Sequence, residues 1–301
     1  MTYQKILAAG LMVAIVCVFA GAGPPMADPQ AVYQPEPPDD PPDTSGGGPH
    51  DDRDHEVVPS GPVIMRKLTP EEINRIRFLE LRAFRLAATD TPDRVTVKIP
   101  RKTVDDFLLE MEGHKDFLGE PSRREFRKLT PPQKLHYIAK YKGDAFIDRV
   151  KIESDPEVFL EFRRRILPTV LRGCATSGCH NMSYDESTRF GLYKDPKRPN
   201  EKVYANFVLL SELQYDGMSV INRTQPDNSL LLTYMLPAKE VKESMRHPGA
   251  VELKPLFQSR AAPNYKRIER WIASLRQPAP SYGVSMINRY PTPLPAEPDE
   301  P

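Results

Sequence analysis

The sequence predicts a mainly α-helical fold flanked by two segments without regular structure. Apolar residues recur at helical spacing along much of the stretch from residue 63 to residue 276. Two Thr-Pro pairs stand directly ahead of such stretches, where helices typically begin. The 33 prolines of this 301-residue chain are concentrated at its two ends, which disfavours packed structure there.

The same local motif starts two helices in the first half of the chain. Thr69 is followed by Pro70 and then by Glu72, so the threonine and the glutamate can cap each other. Thr130 and Gln133 repeat this arrangement. The buried face of the first helix is expected to carry Ile73, Ile76, Phe78, Leu79 and Leu81, and that of the second Leu135, Ile138 and Ala139. A helix between them is expected to bury Phe107, Leu108, Met111 and Phe117.

One short extended segment and one long helix are predicted before residue 170. Residues 95–99 alternate in polarity, which favours a strand. Pro156 opens a helix whose apolar side runs to Leu167 and which leads directly to a cysteine-containing motif. Pro168 should kink this helix, because proline has no N–H to donate.

Two further helices are predicted near the end of the ordered part. Residues 227–229, Asp-Asn-Ser, form a good helix start before a run of leucines. Residues 265–275 carry Trp271 among apolar residues at helical spacing. We expect this last helix to close the domain by packing across the helix that leads to the cysteines.

The first 27 residues have the pattern of an export signal. Lys5 gives a short positive region, residues 6–20 are apolar, and Ala20-Gly21-Ala22 fits a cleavage site, with Ala27 as a second option. We therefore expect a protein of the periplasm or cell envelope, with no integral membrane span after signal cleavage. Retention of the signal as an uncleaved anchor stays open.

Composition divides the remaining chain into four parts. Residues 28–62 and 277–301 are rich in proline with few large apolar residues, which predicts disorder. Between them we expect a helical N-terminal region, residues 63–150, and a second helical domain, residues 151–276. The net charge of +1 gives no reason to expect a nucleic-acid partner.

Residues 174–180 read Cys-Ala-Thr-Ser-Gly-Cys-His, a lengthened form of the Cys-x-x-Cys-His haem-attachment motif. The chemistry needs these residue types in this order. Cys174 and Cys179 would add across the two vinyl groups of haem, and the adjacent His180 would supply the proximal axial nitrogen. The remaining cysteine of the chain, Cys17, lies inside the predicted signal.

Two other interpretations of the motif stay open. In an exported protein, Cys174 and Cys179 could form a small disulfide loop. The two cysteines and His180 could also bind zinc together with one further ligand. A disulfide does not need the adjacent histidine, and the sequence has no second cysteine pair for zinc. The motif therefore favours haem.

A haem iron with one histidine takes a second ligand or leaves an open face. His247 follows His180 in the sequence and lies in the turn-forming run Met245-Arg246-His247-Pro248-Gly249. We expect His247 to be the distal ligand, with Met245 as the alternative, although a surface histidine before a proline would give the same pattern. Met235 lies among apolar residues, as core methionines do.

The other histidines offer no ligand with a spaced partner. His50 and His55 fall in the predicted linker. His114 and His136 are expected on exposed faces of the N-terminal helices.

Several short runs surround the motif in a recognisable order. They are Leu167-Pro168, Phe190-Gly191-Leu192, Ile221-Asn222-Arg223, Pro226-Asp227-Asn228-Ser229-Leu230-Leu231-Leu232, Leu236-Pro237, His247-Pro248 and Trp271-Ile272-Ala273-Ser274-Leu275. Together with the motif, this pattern resembles exported c-type cytochrome domain proteins of planctomycete-like bacteria. The likeness covers about residues 155–276. It implies a cytochrome c-like helical haem domain with one covalently bound haem c.

The resemblance also implies roles for individual residues. Cys174 and Cys179 would be the thioether sites and His180 the proximal ligand of the iron. His247 or Met245 would be the distal ligand.

These expectations imply one-electron transfer by a monohaem protein. The iron would alternate between Fe(III) and Fe(II), exchanging electrons with an unknown redox partner protein in the cell envelope. We expect a carrier rather than an enzyme, because peroxidase-like activity would need an open distal face and an acid–base pair. The alternative is a haem-free extracytoplasmic interaction module in which a Cys174–Cys179 disulfide closes a loop.

Overall fold

The fold is mainly helical, which confirms the predicted fold class. It is described here from a computed structural model, whose described residues are 65–85, 91–176, 179–181, 190–248 and 253–286. The predicted signal peptide and the predicted linker, residues 1–27 and 28–62, lie outside these ranges. Among the described helices, none has both the length and the apolar character that crossing a membrane requires.

The helices follow one another with short connections. The α-helices are α1 (Pro70–Leu79), α2 (Arg101–Glu110), α3 (Gly119–Lys128), α4 (Pro131–Lys142), α5 (Glu157–Glu161), α6 (Leu167–Cys174), α7 (Asn200–Glu212), α8 (Leu230–Thr233) and α9 (Pro263–Ala273). A π-helical turn, Phe162–Ile166, joins α5 to α6. Short 3₁₀ turns are Arg82–Phe84, Lys115–Phe117, Gly143–Arg149, Pro226–Asn228, Ala238–Glu240 and Glu243–Met245.

Two small antiparallel sheets complete the secondary structure. β1 (Val97–Lys98) pairs with β2 (Lys151–Ile152), with Val97 opposite Ile152, so the predicted extended segment is confirmed in its centre. β3 (Gln214–Tyr215) and β4 (Met218–Ser219) form a hairpin.

The β3–β4 turn consists of Asp216 and Gly217, which both have positive φ, 49° and 70°. Such a two-residue turn matches the twist of the strands that it joins.

Both predicted capping motifs are present. At α1, Thr69 Oγ1 accepts the backbone N–H of Glu72 at 3.2 Å, and the Glu72 carboxylate accepts the Thr69 N–H at 2.8 Å. At α4, Gln133 Oε1 accepts the Thr130 N–H at 2.9 Å. A side-chain cap of this kind stabilises a helix by about 0.5–2 kcal/mol. Local sequence therefore fixes where α1 and α4 begin.

The helical stretch that comprises α5, the π turn and α6 continues through Pro168. Proline cannot donate to the carbonyl four residues earlier, that of Arg164, and its ring crowds that oxygen. The wider π turn at Phe162–Ile166 accommodates this missing bond. The predicted disturbance at Pro168 thus takes the form of a π turn.

α9 packs across this run, as predicted. The Trp271 ring stacks on Phe162 with centroids 5.2 Å apart and planes 19° apart. The Trp271 indole N–H donates to the Val158 carbonyl at 3.0 Å. The closing helix is therefore fixed both by ring packing and by a buried hydrogen bond.

One buried core extends through both predicted ordered regions. It includes Ile76 of α1, Phe159 of α5, Tyr204 of α7 and Ile272 of α9, all fully buried. A second cluster, centred on Phe107, lies among α2, α3, α4 and the following 3₁₀ turn. The boundary predicted at residue 150 therefore does not separate two independent cores.

His136 corrects the expectation of an exposed histidine. It is 6% exposed. α4 contributes Leu135 and Ala139 to the first core and Ile138 to the second, so most of its circumference is covered.

A buried ion network holds α1 against the start of α5. Arg77 donates to the Asp155 carboxylate at 2.6 Å and to the Tyr204 hydroxyl at 3.1 Å. Arg163, in the π turn, lies 2.7 Å from the other Asp155 oxygen. The network orients the helical run that ends at the cysteines.

The described residues after Arg276 are ordered, which corrects the predicted disordered tail over that stretch. Tyr282 and Met286 are buried. The Tyr282 hydroxyl donates to the buried Glu80 carboxylate at 2.5 Å, so this segment supplies a partner that the carboxylate needs.

Residues near both ends of the described chain form hydrogen bonds with helix α7. The Leu68 N–H donates to the Glu201 carbonyl at 3.2 Å, in the first turn of α7. The Met286 N–H donates to the carboxylate of Glu212, the last residue of α7, at 2.7 Å.

Candidate functional site

The predicted motif turns back directly after α6. The His180 N–H donates to the Cys174 carbonyl at 2.9 Å, and the Cys179 N–H donates to the Thr176 carbonyl at 3.1 Å. These bonds bring His180 and the two cysteines to the C-terminal end of α6. Residues 177 and 178 of the motif lie outside the described residues.

Cys174 and Cys179 are both free thiols in this structure. Burial, followed by the nearby Cys179, raises the pKa of the Cys174 thiol to about 12. Cys174 is therefore a protonated thiol at neutral pH, held in the last turn of α6. The structure does not contain the disulfide of the alternative interpretation.

His180 is oriented by the segment that begins at Phe190. Its Nδ1 lies 3.3 Å from the Phe190 carbonyl oxygen, and the two rings stack with centroids 3.9 Å apart and planes 5° apart. The Leu192 N–H donates to the His180 carbonyl at 2.8 Å. Because a carbonyl oxygen only accepts, Nδ1 carries the proton and Nε2 carries the lone pair that a metal takes.

His247 lies next to His180. The two ring centroids are 5.9 Å apart, with planes inclined by 50°. His247 Nδ1 lies 2.7 Å from the Pro248 carbonyl oxygen, so Nε2 is the ring nitrogen left for a metal. The structure therefore brings together the two histidines that the sequence proposed as axial ligands.

The alternative distal ligand has a different environment. The Met245 side chain is 9% exposed and belongs to the main core. Its carbonyl accepts the Thr233 hydroxyl at 3.2 Å. Met245 thus anchors the segment to α8, and the contact with the His180 ring is made by His247.

Tyr234 also contacts His247. Its ring meets His247 edge-on, with centroids 4.9 Å apart and planes 66° apart. Burial, followed by the nearby Tyr215, raises the pKa of the Tyr234 hydroxyl to about 12, so the hydroxyl keeps its proton at neutral pH. Tyr234 and Thr233 together place the distal segment against α8.

The chain after His247 returns across the end of α6. The Met235 carbonyl accepts the N–H groups of both Leu256 and Phe257 at 3.0 Å. A Cβ at Gly173 would lie 2.5 Å from Leu256 Cδ1, so the helix residue before Cys174 must be small for this approach. The segment around Leu256 is therefore held to Met235 by backbone bonds and packs closely on the end of α6 at Gly173.

The distances fit a metal held between two imidazoles. Two rings that each bind one metal through nitrogen at about 2 Å have centroids roughly 6 Å apart. His180 and His247 meet this requirement, and each directs Nδ1 to a carbonyl, as metal-binding histidines commonly do. Within the described ranges, no group of three or more His, Cys, Asp or Glu side chains is arranged to hold a metal ion, so the zinc alternative has no support there.

Sequence reasoning missed the residues that support the ligands. Phe190 was recognised as part of a pattern but not as the partner of His180, and Tyr234 and Gly173 were not singled out. Their contacts join segments that are distant in sequence, so no local sequence pattern predicts these contacts.

Comparison of the chain with protein-family models, curated proteins and solved structures found no match. The resemblance to c-type cytochromes therefore remains a prediction from short motifs. The candidate site is therefore supported by its geometry alone, in which the histidine of a Cys-x₄-Cys-His segment contacts a second histidine.

Proposed function

We propose that this protein is an exported monohaem c-type cytochrome that transfers single electrons, with His180 and His247 as its axial ligands. The observation that supports this most directly is the pair of imidazoles with ring centroids 5.9 Å apart, one of which follows directly after a motif with two free cysteines. Cys174 and Cys179 would hold the haem covalently. A bound haem c would supply the Fe(III)/Fe(II) couple.

The residues of the chain would bind, orient and shield the prosthetic group. The Phe190 carbonyl fixes the proton of His180 on Nδ1, and the Pro248 carbonyl does the same for His247. If both imidazoles bound the iron, peroxide would have no free position there, which would favour electron transfer over enzymatic chemistry. The electron would pass to a redox partner protein in the cell envelope.

The proposal is tested by covalent haem attachment. The full chain is produced in a bacterial host with periplasmic haem-maturation machinery, and a denaturing gel is stained for haem. We expect a stained band for the wild type and for Cys17→Ala, and none for Cys174→Ala combined with Cys179→Ala. The Cys17 variant is the matched control because it also removes a cysteine, one outside the motif.

The rival function is a haem-free interaction module closed by a Cys174–Cys179 disulfide. It predicts an unstained wild-type band and two thiols that resist alkylation until they are reduced. That pair of results would replace the electron-transfer proposal.

A further inference from the structure

The hydroxyl of Tyr234 is buried and has no hydrogen-bond partner among the described residues. The ring itself is partly exposed, and its edge-on contact with His247 places it beside the proposed distal ligand. Tyr234 thus packs against the main core, while its ring touches His247 and its hydroxyl lies near Tyr215.

A buried hydroxyl without a partner is costly, and native proteins pair nearly all such groups. The Tyr234 ring has little freedom to turn away, because it packs against the main core and against His247. An acceptor that arrives with a bound group would remove the cost.

The kind of acceptor follows from the hydroxyl and from the group proposed for the site. A phenolic hydroxyl can donate one hydrogen bond, and the Tyr234 hydroxyl has no acceptor among the described residues. A charged acceptor makes the stronger hydrogen bond with such a donor. Haem brings two propionate carboxylates as its charged acceptors.

We propose that Tyr234 donates a hydrogen bond to a haem propionate carboxylate, so that one residue both supports His247 and binds the edge of the haem. This inference rests on the proposed haem function. It adds a binding residue that the motif does not contain.

The test compares Tyr234→Phe with the wild type in the haem-loaded full chain. Phenylalanine keeps the ring against His247 and removes only the hydroxyl. We expect an unchanged low-spin absorption spectrum, a lower melting temperature and a shifted propionate bending band in the resonance Raman spectrum. Tyr215→Phe is the control, because it removes a hydroxyl from the neighbouring, more exposed tyrosine and should leave both readouts unchanged.

An identical propionate band and melting temperature in Tyr234→Phe and wild type would overturn the inference while leaving the haem function intact. A second measurement does not depend on the variant. Proton NMR of the reduced wild-type protein should show an Overhauser contact between the Tyr234 ring and a propionate methylene, and its absence would also overturn the inference. A wild type without haem would overturn this inference and the proposed function together.

Discussion

The guanidinium of Arg223 donates to the carboxylate of Glu80 at 2.7 Å, with exposed fractions of only 6% and 0% for the two side chains. The Tyr282 hydroxyl donates to the same carboxylate oxygen, and the Arg276 N–H donates to the other at 3.0 Å. Burial lowers the pKa of Arg223, but Tyr282 and Glu80 more than offset this, so the net shift is upward and the arginine stays charged. The Glu80 carboxylate, directly after α1, thereby binds three other parts of the chain, at Arg223, Arg276 and Tyr282.

Replacing Arg223 should destabilise the whole fold. Arg223→Leu leaves the Glu80 charge buried without its partner, which typically costs about 3–5 kcal/mol. The free energy of unfolding, measured in urea, should fall by that amount. Lys102→Ala breaks the exposed Lys102–Asp106 pair and is the control, with an expected loss below about 1 kcal/mol. Equal losses in the two variants would show that the buried pair contributes no more to the free energy of unfolding than the exposed pair does.

The two candidate distal ligands should respond differently to truncation. If haem is bound as proposed, His247→Ala should convert it from low-spin to high-spin absorption, because the iron would lose its second imidazole. Met245→Ala should keep the low-spin spectrum but lower the free energy of unfolding by about 2–5 kcal/mol, since it empties a core position. Visible spectra and urea titrations of both variants decide the assignment. A high-spin Met245→Ala beside a low-spin His247→Ala would reverse it.

Whether Gly173→Ala stabilises or destabilises the protein should depend on the residue at position 256. Gly173→Ala places a methyl group against Leu256 and should destabilise the protein by about 1–3 kcal/mol. In a Leu256→Ala background the space is open, and the same change should stabilise by about 0.5–1 kcal/mol, because alanine favours helix. A double-mutant cycle from thermal or urea unfolding measures this coupling. Simple additivity would contradict the proposed contact.

Asp155 should make the stability of the fold sensitive to acid. Burial raises its pKa, but Arg163 and Arg77 together outweigh burial, so the net shift is downward. A lowered folded pKa means that the stabilisation is present above the unfolded pKa of about 3.9 and is lost as the pH falls through the folded value. We therefore expect wild type to exceed Asp155→Asn in stability at about pH 7, with a smaller difference at about pH 3. A difference independent of pH, in urea unfolding at both values, would contradict this account.

Local signals predicted much of the helical fold. The capping residues Thr69 and Thr130 act within one turn of the chain, so their effect is visible in the sequence. The stripe around Trp271 likewise predicted both α9 and its packing on the helix before the motif. The β3–β4 hairpin was not predicted, although its Asp216-Gly217 pair is a recognised hairpin signal.

Other features depend on tertiary contacts and could not be predicted in this way. The burial of His136 arises because α4 packs on two clusters, and the order of the chain at Tyr282 depends on the carboxylate of Glu80, directly after α1. At the candidate site, the motif chemistry indicated Cys174, Cys179 and His180, and their roles stay predictions. The sequence could not indicate the partners of these residues, such as Phe190 and Tyr234.

The attachment of both chain ends to α7 has a mechanical consequence. This helix has 13 residues and spans about 20 Å, with Leu68 bound near its start and Met286 at its end. These two bonds lie close in sequence to the two ends of the described chain. Tension applied at both ends should therefore break them early, before it reaches the segments that carry His180 and His247.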